Sequence, residues 1–147
     1  RMNWPLEDVE TTTVHGRPLE RIIPFFQPNQ KLLVLTSGSE TPKQVAELLT
    51  SKGFGNSKLT VLSSMGGEDE QLFSGEAKNW NESVPSFNTL AIECVSSRKA
   101  SFQTRLPGLP DHIFQSDGTM TKQEVRAITV AKLKPVGNAL LLSLLPI

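Results

Sequence analysis

The hydrophobic pattern of residues 31–66 predicts a strand, a helix and a second strand, in that order. Lys31–Leu35 contains a continuous apolar run with the length of a strand that is buried on both faces. After a small polar loop, apolar residues recur at three- and four-residue spacing as far as Gly53, which is typical of an amphipathic helix. Residues 59–62 then begin another apolar strand. These segments together predict a βαβ unit with a right-handed crossover between parallel strands.

Both ends of this helix show terminal signals. Thr41 can act as the N-cap, Pro42 suits the first helical position, and Gln44 completes a capping box. Gly53 suits the left-handed conformation with which helices commonly stop. The helix is therefore predicted over residues 41–53.

Small residues follow both predicted strands. The first strand is followed by Thr36, Ser37 and Gly38, and the second by Ser64, Met65 and Gly66. In open α/β sheets, ligands bind outside the carboxyl ends of the parallel strands. The loop of Thr36, Ser37 and Gly38 is the stronger candidate, and there the pattern alone leaves two interpretations open, a site for a nucleotide-like ligand and a plain connection.

The rest of the pattern predicts an α/β fold with a mixed sheet flanked by helices. Further strands are predicted at residues 8–15, 70–74 and 89–95, the second of them returning antiparallel beside residues 59–63, with short helices at 19–26 and 75–81. Residues 96–118 are rich in Ser, Pro, Gly and Gln, which indicates an arm or linker. Thr121 and Glu124 form a capping-box pattern before a helix that ends near Lys134, with Val125, Ile128 and Ala131 along its apolar side. Residues 138–145 are a strand-like apolar run.

Composition narrows the classes of function. Fifteen basic and fifteen acidic residues cancel, so no broad electrostatic field favours nucleic acid or an anionic membrane surface. The apolar residues 139–147 are too few to cross a bilayer, which needs about 20. The single cysteine, Cys94, excludes an internal disulfide and a cysteine-rich zinc site, and fits a reducing compartment such as the cytoplasm.

Few residues suggest catalytic chemistry. The sequence has no His-Glu-x-x-His pair and no Walker-type phosphate loop, so we predict neither a catalytic residue nor a metal site. Cys94 lies between apolar neighbours in a predicted strand and is interpreted as a buried, inert thiol. His15 and Arg17 flank a glycine at a strand end, where a contact with a carboxylate ligand and a solvated loop are equally good interpretations. The acidic residues 68–70 are interpreted as a solvated turn.

Five stretches, in this order, resemble one family of enzymes. They are residues 4–18 (WPLEDVETTTVHGRP), 32–49 (LLVLTSGSETPKQVAELL), 53–70 (GFGNSKLTVLSSMGGEDE), 88–95 (NTLAIECV) and 108–135 (GLPDHIFQSDGTMTKQEVRAITVAKLKP). On these residues the chain resembles the precorrin-6Y C5,15-methyltransferase (decarboxylating) family of cobalamin biosynthesis. Its members join a tetrapyrrole methylase module, made of two α/β domains, to a Rossmann-like methyltransferase module.

The resemblance implies two parts. Residues 1–105 resemble the carboxyl-terminal α/β domain of the tetrapyrrole methylase module, which has a mixed sheet flanked by helices. Residues 106–147 resemble a linker and the truncated start of the second module. The sequence contains neither the amino-terminal half of the first module, with its Gly-Pro-Gly loop, nor the Asp-x-Gly-x-Gly loop expected after the strand at 138–145. The missing amino-terminal half is therefore an expected partner.

The resemblance also implies a cofactor and a substrate. The cofactor is S-adenosyl-L-methionine, and the substrate is a precorrin, which is a tetrapyrrole. The cofactor loops of the family match Thr36-Ser37-Gly38, Ser64-Met65-Gly66 and Leu90-Ala91-Ile92, and Thr121 matches a residue near the cofactor of the second module. His15 and Arg17 match a segment near the cleft and are expected to face the carboxylates of the tetrapyrrole.

These matches imply a fragment of a cytoplasmic methyltransferase that is inactive alone. A homodimer is expected, because tetrapyrrole methylases are generally dimeric and symmetric pairing covers an exposed face. Methyl transfer of this kind depends on alignment of the reacting atoms and needs no strong protein nucleophile. The alternative function is a non-catalytic α/β interaction module that self-associates through an apolar face.

Overall fold

The computed structural model describes residues 2–104 and 106–136. The chain divides into two compact units, Arg1–Phe102 and Gln103–Ile147, and each is considered by itself. The predicted strand at residues 138–145 lies outside the described residues. In the described ranges, neither α-helix combines the length and the hydrophobicity that a bilayer span requires.

The first unit contains five strands and one α-helix. The strands are β1 Val9–Thr13, β2 Lys31–Leu35, β3 Lys58–Ser63, β4 Gln71–Glu76 and β5 Asn88–Glu93, and the helix is α1 Thr41–Ser51. Short 3-10 helices cover Leu6–Asp8, Leu19–Phe25 and Ala77–Asn79. The elements predicted for this unit are confirmed, with bounds that differ by one or two residues.

The five strands form one mixed sheet in the order β1-β2-β5-β3-β4. β1 is parallel to β2, β5 is antiparallel to both β2 and β3, and β4 is antiparallel to β3. β2 and β3 therefore run in the same direction, as the βαβ prediction requires, but β5 lies between them. β5 can occupy this central position because its residues Leu90, Ala91 and Ile92 are all buried.

One face of the sheet supports the core. Residues paired across β2, β5 and β3 point to this face in two rows, Leu32 with Ile92 and Leu59, and Val34 with Leu90 and Val61. Val45 and Leu49 of α1 belong to the same buried cluster as these rows, together with Phe26 and Phe54. On the opposite face, Leu35 and Leu72 remain 50% and 58% exposed. The sheet is thus packed on one side, with apolar side chains accessible on the other.

The helix starts differ from the sequence prediction. Glu40 occupies the N-cap of α1 without a capping side-chain bond, and Thr41 is the first helical residue. The Thr41 hydroxyl instead accepts a hydrogen bond from the backbone N–H of Ser37, at 3.1 Å. The predicted cap is therefore wrong, because the preceding loop takes the oxygen that a cap would use. The left-handed stop at Gly53 is confirmed, with φ of +84°.

The second unit contains a 3-10 turn, Asp111–Ile113, and the helix α2, Gln123–Leu133. Its predicted capping box is wrong, since α2 starts after Lys122 with no capping side-chain bond. The predicted apolar side is also not a packed face, since Val125 and Ile128 are exposed.

Arg126 is the buried side chain of α2, with only 6% of its surface exposed. Its guanidinium group donates hydrogen bonds to the carboxylate of Asp111 and to the carbonyl oxygens of Leu109 and Thr121. The same group lies 4.8 Å from the ring centroid of Phe114. The Arg126 guanidinium group therefore links α2 to residues 109–121, the segment that precedes the helix.

Replacing Arg126 with methionine should detach that segment from α2. The change leaves two carbonyl oxygens and one carboxylate without their charged donor, and such bonds contribute about 1.5–3 kcal/mol each. We expect the amides of α2 to exchange with solvent at least about tenfold faster, while the amides of β2 and β5 keep their rates. Lys132→Met, at an exposed position of the same helix, is the control. Equal exchange in both variants would contradict a structural role for Arg126.

Candidate functional site

One edge of the sheet collects the loops that the sequence singles out. Across this edge, Thr13 pairs with Leu35, Leu35 with Thr89, and Thr89 with Leu62. The carboxyl ends of β1, β2 and β3 therefore meet the amino end of β5 there. We call this edge the rim; it comprises residues 15–17, 36–38, 64–66 and 87–89. The prediction that the two small-residue corners lie at the same edge is confirmed.

Hydrogen bonds join the loop after β2 to both neighbouring strands. The Ser37 hydroxyl donates to the carbonyl oxygen of Val14, at 2.7 Å, which ties the loop to the end of β1. The Thr36 hydroxyl lies 2.7 Å from the backbone oxygen of Asn88 and 2.9 Å from its side-chain oxygen. The loop is thus fixed on two sides, although its own side chains are small.

The loop after β3 is tied to the same segment. The Ser63 hydroxyl and the backbone N–H of Ser64 both donate to the carbonyl oxygen of Phe87, at 3.1 and 3.4 Å. Residue 88 therefore contacts the corner after β2, and residue 87 contacts the corner after β3. Sequence reasoning did not include Asn88 or Phe87 among the site residues. The available signal was an asparagine at the first position of a buried strand, a place where a polar side chain needs specific partners.

The corner at residues 64–66 is a tight turn. Ser64 has φ of +50°, a conformation that is uncommon for a residue with a side chain, and Gly66 has φ of +77°. The Glu70 carboxylate accepts a hydrogen bond from the backbone N–H of Gly66, at 2.8 Å. This amide is therefore already paired within the turn. Among the described residues no group of acidic, histidine or cysteine side chains is arranged to hold a metal ion.

A recess of about 150 Å³ lies at the rim. Its lining residues come from the end of β3, the following turn and the start of β5: Leu62, Ser64, Met65, Phe87, Asn88 and Thr89. Pockets that enclose a drug-sized ligand measure about 300–1,000 Å³. Met65 and Phe87 are 61% and 80% exposed, so their apolar surfaces face outward. The recess by itself is therefore too small to enclose a drug-sized ligand.

The structure places three predicted cofactor residues away from this surface. Leu90, Ala91 and Ile92 are buried inside the sheet, and both edges of β5 are hydrogen-bonded to neighbouring strands. Ile92 pairs with residues near the amino ends of β2 and β3, so it lies toward the opposite edge. Their side chains offer no surface to a ligand, and residues 87–89 of the same segment line the rim instead.

The remaining predicted residues fall in two places. His15 and Arg17 are exposed in the turn after β1, at the rim end next to Ser37. The turn is closed by a hydrogen bond from the Arg17 N–H to the carbonyl oxygen of Val14, at 3.1 Å. Thr121 belongs to the second unit, where its carbonyl oxygen accepts a hydrogen bond from Arg126.

A larger concavity, of about 630 Å³, lies at the opposite edge of the sheet. It is lined by residues 7–10 and 28–31, which include the Asp8 and Lys31 ion pair at 3.8 Å. This edge carries the amino ends of β1 and β2. In open α/β sheets the ligand site lies at the carboxyl ends, so the rim is the stronger candidate despite its smaller recess.

Cys94 is not a nucleophile in this fold. Burial raises the pKa of its thiol from 9.0 to about 12. A thiolate is the reactive form, and a raised pKa suppresses it at neutral pH. The interpretation of Cys94 as buried is confirmed.

Alkylation should therefore reach Cys94 only after unfolding. At pH 8 we expect the native thiol to react with iodoacetamide more than about a hundredfold more slowly than in urea. Because the folded state keeps the thiol neutral, its contribution to stability is complete below pH 9 and falls as the pH rises toward about 12. Rapid labelling of the native chain would contradict the burial. Urea-unfolded chain provides the rate for an accessible thiol.

The chain is similar to curated proteins that are longer than it is. A Sinorhizobium protein named precorrin-6Y C(5,15)-methyltransferase (decarboxylating) is 39% identical over 142 residues, covering 96% of this chain and 34% of that protein. A Mycobacterium tuberculosis (strain CDC 1551) protein of the same name is 31% identical over 140 residues, covering 92% and 33%. The chain thus spans about a third of the length of these relatives. The resemblance predicted from sequence is confirmed. No family model matches the chain.

Similarity to solved structures is weaker. The precorrin-6Y methylase of cobalamin biosynthesis from Archaeoglobus fulgidus gives a TM-score of 0.40 at 18% identity, over 61% of this chain and 39% of that one. The uroporphyrin-III-C-methyltransferase from Thermus thermophilus gives 0.43 at 20% identity, over 58% and 37%. Scores of this size support no structural inference about this chain.

Proposed function

We propose that this chain is part of a precorrin-6Y C5,15-methyltransferase and supplies one wall of the cofactor cleft in its first module. The observation that most supports this proposal is the alignment of 96% of the chain, at 39% identity, with a protein of that name. The rim supports it independently, because it combines two small-residue corners with a recess of limited size. In this proposal residues 1–105 are the carboxyl-terminal domain of the tetrapyrrole methylase module, and residues 106–147 begin the second module.

The rim residues fit the adenosine end of S-adenosyl-L-methionine. An adenine ring has apolar faces and polar edges, and the recess has apolar walls at Met65 and Phe87 beside the polar groups of Ser64 and Thr89. The loop of Thr36, Ser37 and Gly38 leaves room for close approach of the backbone. The bound cofactor would supply an electrophilic methyl group. The contribution of the chain is to bind and orient the cofactor.

The tetrapyrrole is proposed to approach from the β1 end of the rim. His15 and Arg17 are exposed there, and a guanidinium group pairs well with the carboxylates that such a macrocycle carries. No protein nucleophile is required, since methyl transfer depends on alignment of the methyl group with a ring carbon in a closed site. The single buried thiol agrees with a cytoplasmic protein.

We propose that the chain alone is inactive and binds the cofactor only weakly, because a recess of about 150 Å³ encloses less than a drug-sized ligand needs. Isothermal titration calorimetry with S-adenosylmethionine should give a dissociation constant far above the micromolar range. Micromolar affinity would overturn the one-wall proposal.

A second candidate function is self-association as a non-catalytic module. The uncovered sheet face favours it, because Leu35 and Leu72 remain largely exposed there and accessible apolar faces promote pairing. Sedimentation velocity over a wide concentration range tests self-association, because a monomer at high concentration would contradict it. A homodimer is expected under both functions, so a dimer would leave the calorimetric titration with S-adenosylmethionine to separate them.

A further inference from the structure

We propose that Asn88 is the positioning residue of the rim, and that its side chain holds residues 36–38 in the conformation that receives the cofactor's adenosine. The identity of the ligand rests on the proposed function. The positioning itself is a property of this chain, so the two claims can fail separately.

The Asn88 side chain is surrounded by the groups that an amide requires. Its oxygen lies 2.9 Å from the Thr36 hydroxyl and shares the single hydrogen of that hydroxyl with the Asn88 backbone oxygen, which lies at 2.7 Å. Its nitrogen lies 2.6 Å from the carbonyl oxygen of Pro85 and 3.4 Å from those of Gly38 and Ser86. Three carbonyl oxygens around one end determine which end is the nitrogen, since only the nitrogen can donate.

Both ends of the amide are needed. The oxygen end binds Thr36, which is buried, while the nitrogen end binds Gly38 two residues later. An aspartate has the same shape but no donor when ionised, and it would point a negative oxygen at three carbonyl groups. An alanine keeps only the contact between the Thr36 hydroxyl and the backbone oxygen. Asparagine is therefore the side chain that this environment requires.

Apart from the Asn88 side chain, the Thr36 hydroxyl also ties residues 36–38 to β5, through the backbone oxygen of Asn88. Their side chains are short, and Ser37 is exposed at the surface. The Ser37 contacts lead to β1 and to α1, through Val14 and Thr41. Asn88 therefore supplies the side-chain link between this loop and the strand that also borders the recess. Loss of that link should loosen the loop without removing the sheet.

Amide exchange in the ¹⁵N-labelled chain tests the positioning. The Ser37 N–H donates to Thr41 and so reports on the loop. In Asn88→Ala we expect this amide to exchange at least about tenfold faster, with β2 and β3 unchanged. In Asn88→Asp the same loss of protection is expected at neutral pH. The protection factor, which is the exchange rate relative to that of an unstructured amide at the same pH, should recover when acid protonates the carboxyl group and restores a donor. Ser86→Ala, which keeps the backbone oxygen, is the control.

Titration with S-adenosylhomocysteine, followed by the same amide signals, tests the ligand. The wild-type chain should respond at residues 36–38 at millimolar concentration, and Asn88→Ala should weaken that response at least about fivefold. Unchanged Ser37 exchange in Asn88→Ala, or a faster exchange with undiminished binding, would overturn the proposal. A wild-type chain without any rim response would instead contradict the proposed function. If Asn88→Ala fails to fold, Asn88→Asp provides the test. Recovery of Ser37 protection in acid would support the positioning role of Asn88, and its absence would overturn that role.

Discussion

Phe54→Ala should lower the free energy of unfolding by about 3–5 kcal/mol. The Phe54 side chain is 0% exposed, and Phe54 follows Lys52 and Gly53 after the end of α1. Its ring centroid lies 5.8 Å from that of Phe26 and 5.8 Å from that of Phe102. Its removal leaves a cavity in the buried cluster, and packed interiors close such cavities only in part. Since domains are stable by about 5–15 kcal/mol, this single change removes a large share.

Urea unfolding followed by tryptophan fluorescence measures the effect. Phe87→Ala is the matched control, because Phe87 is 80% exposed and its removal leaves no cavity. We expect the control to change the free energy of unfolding by about 0.5 kcal/mol or less. Equal losses of unfolding free energy in the two variants would show that Phe54 is not packed in the core.

Gly53→Ala should lower the free energy of unfolding by about 2–5 kcal/mol, for two independent reasons. Gly53 has φ of +84°, a conformation that costs residues with a side chain about 1–2 kcal/mol. A Cβ atom there would also lie 2.6 Å from the Cα of Ala100, which is closer than van der Waals contact allows. The backbone after β5 would have to move, and overpacking of this kind costs about 1–3 kcal/mol more.

Gly16→Ala measures the conformational cost alone, without the overpacking. Gly16 has φ of +64°, but a Cβ atom there would meet nothing within 4 Å. Its expected cost is therefore only the conformational part, about 1–2 kcal/mol. The same urea experiment compares the variants. If Gly53→Ala and Gly16→Ala cost the same, the close approach to Ala100 is not a real constraint.

The sequence allowed the elements and the rim to be predicted because both depend on local pattern. A continuous apolar run predicts the strand Lys31–Leu35, and apolar residues at three- and four-residue spacing predict α1. Small residues after a buried strand indicate the loop at its end. The insertion of β5 between β2 and β3 could not be predicted in this way. A continuous apolar run has the same appearance in any central strand, so its neighbours depend on tertiary packing.

The candidate site residues likewise differ in whether local sequence pattern or tertiary packing determines them. Asn88 could not be predicted as a rim residue, because its partner Thr36 lies 52 residues away and such pairing leaves no spacing signal. Leu90, Ala91 and Ile92 were assigned to the cofactor by resemblance, and that assignment stays a prediction. Their burial could not be deduced from the resemblance, because it depends on the central place of β5 in the sheet. The Thr41 cap failed because its hydroxyl oxygen accepts from the Ser37 N–H instead. A capping pattern shows what a side chain can do, while its competing partners decide what it does. The second helix starts after Lys122, one residue later than the capping box at Thr121 predicts.

The most direct test of the cofactor wall is an amide map of the ¹⁵N-labelled wild-type chain titrated with S-adenosylhomocysteine to millimolar concentration. We predict perturbed signals at residues 36–38, 64–66 and 87–89, with a dissociation constant far above the micromolar range. Perturbation centred on residues 7–10 and 28–31, at the opposite edge of the sheet, would contradict this account, as would a silent rim.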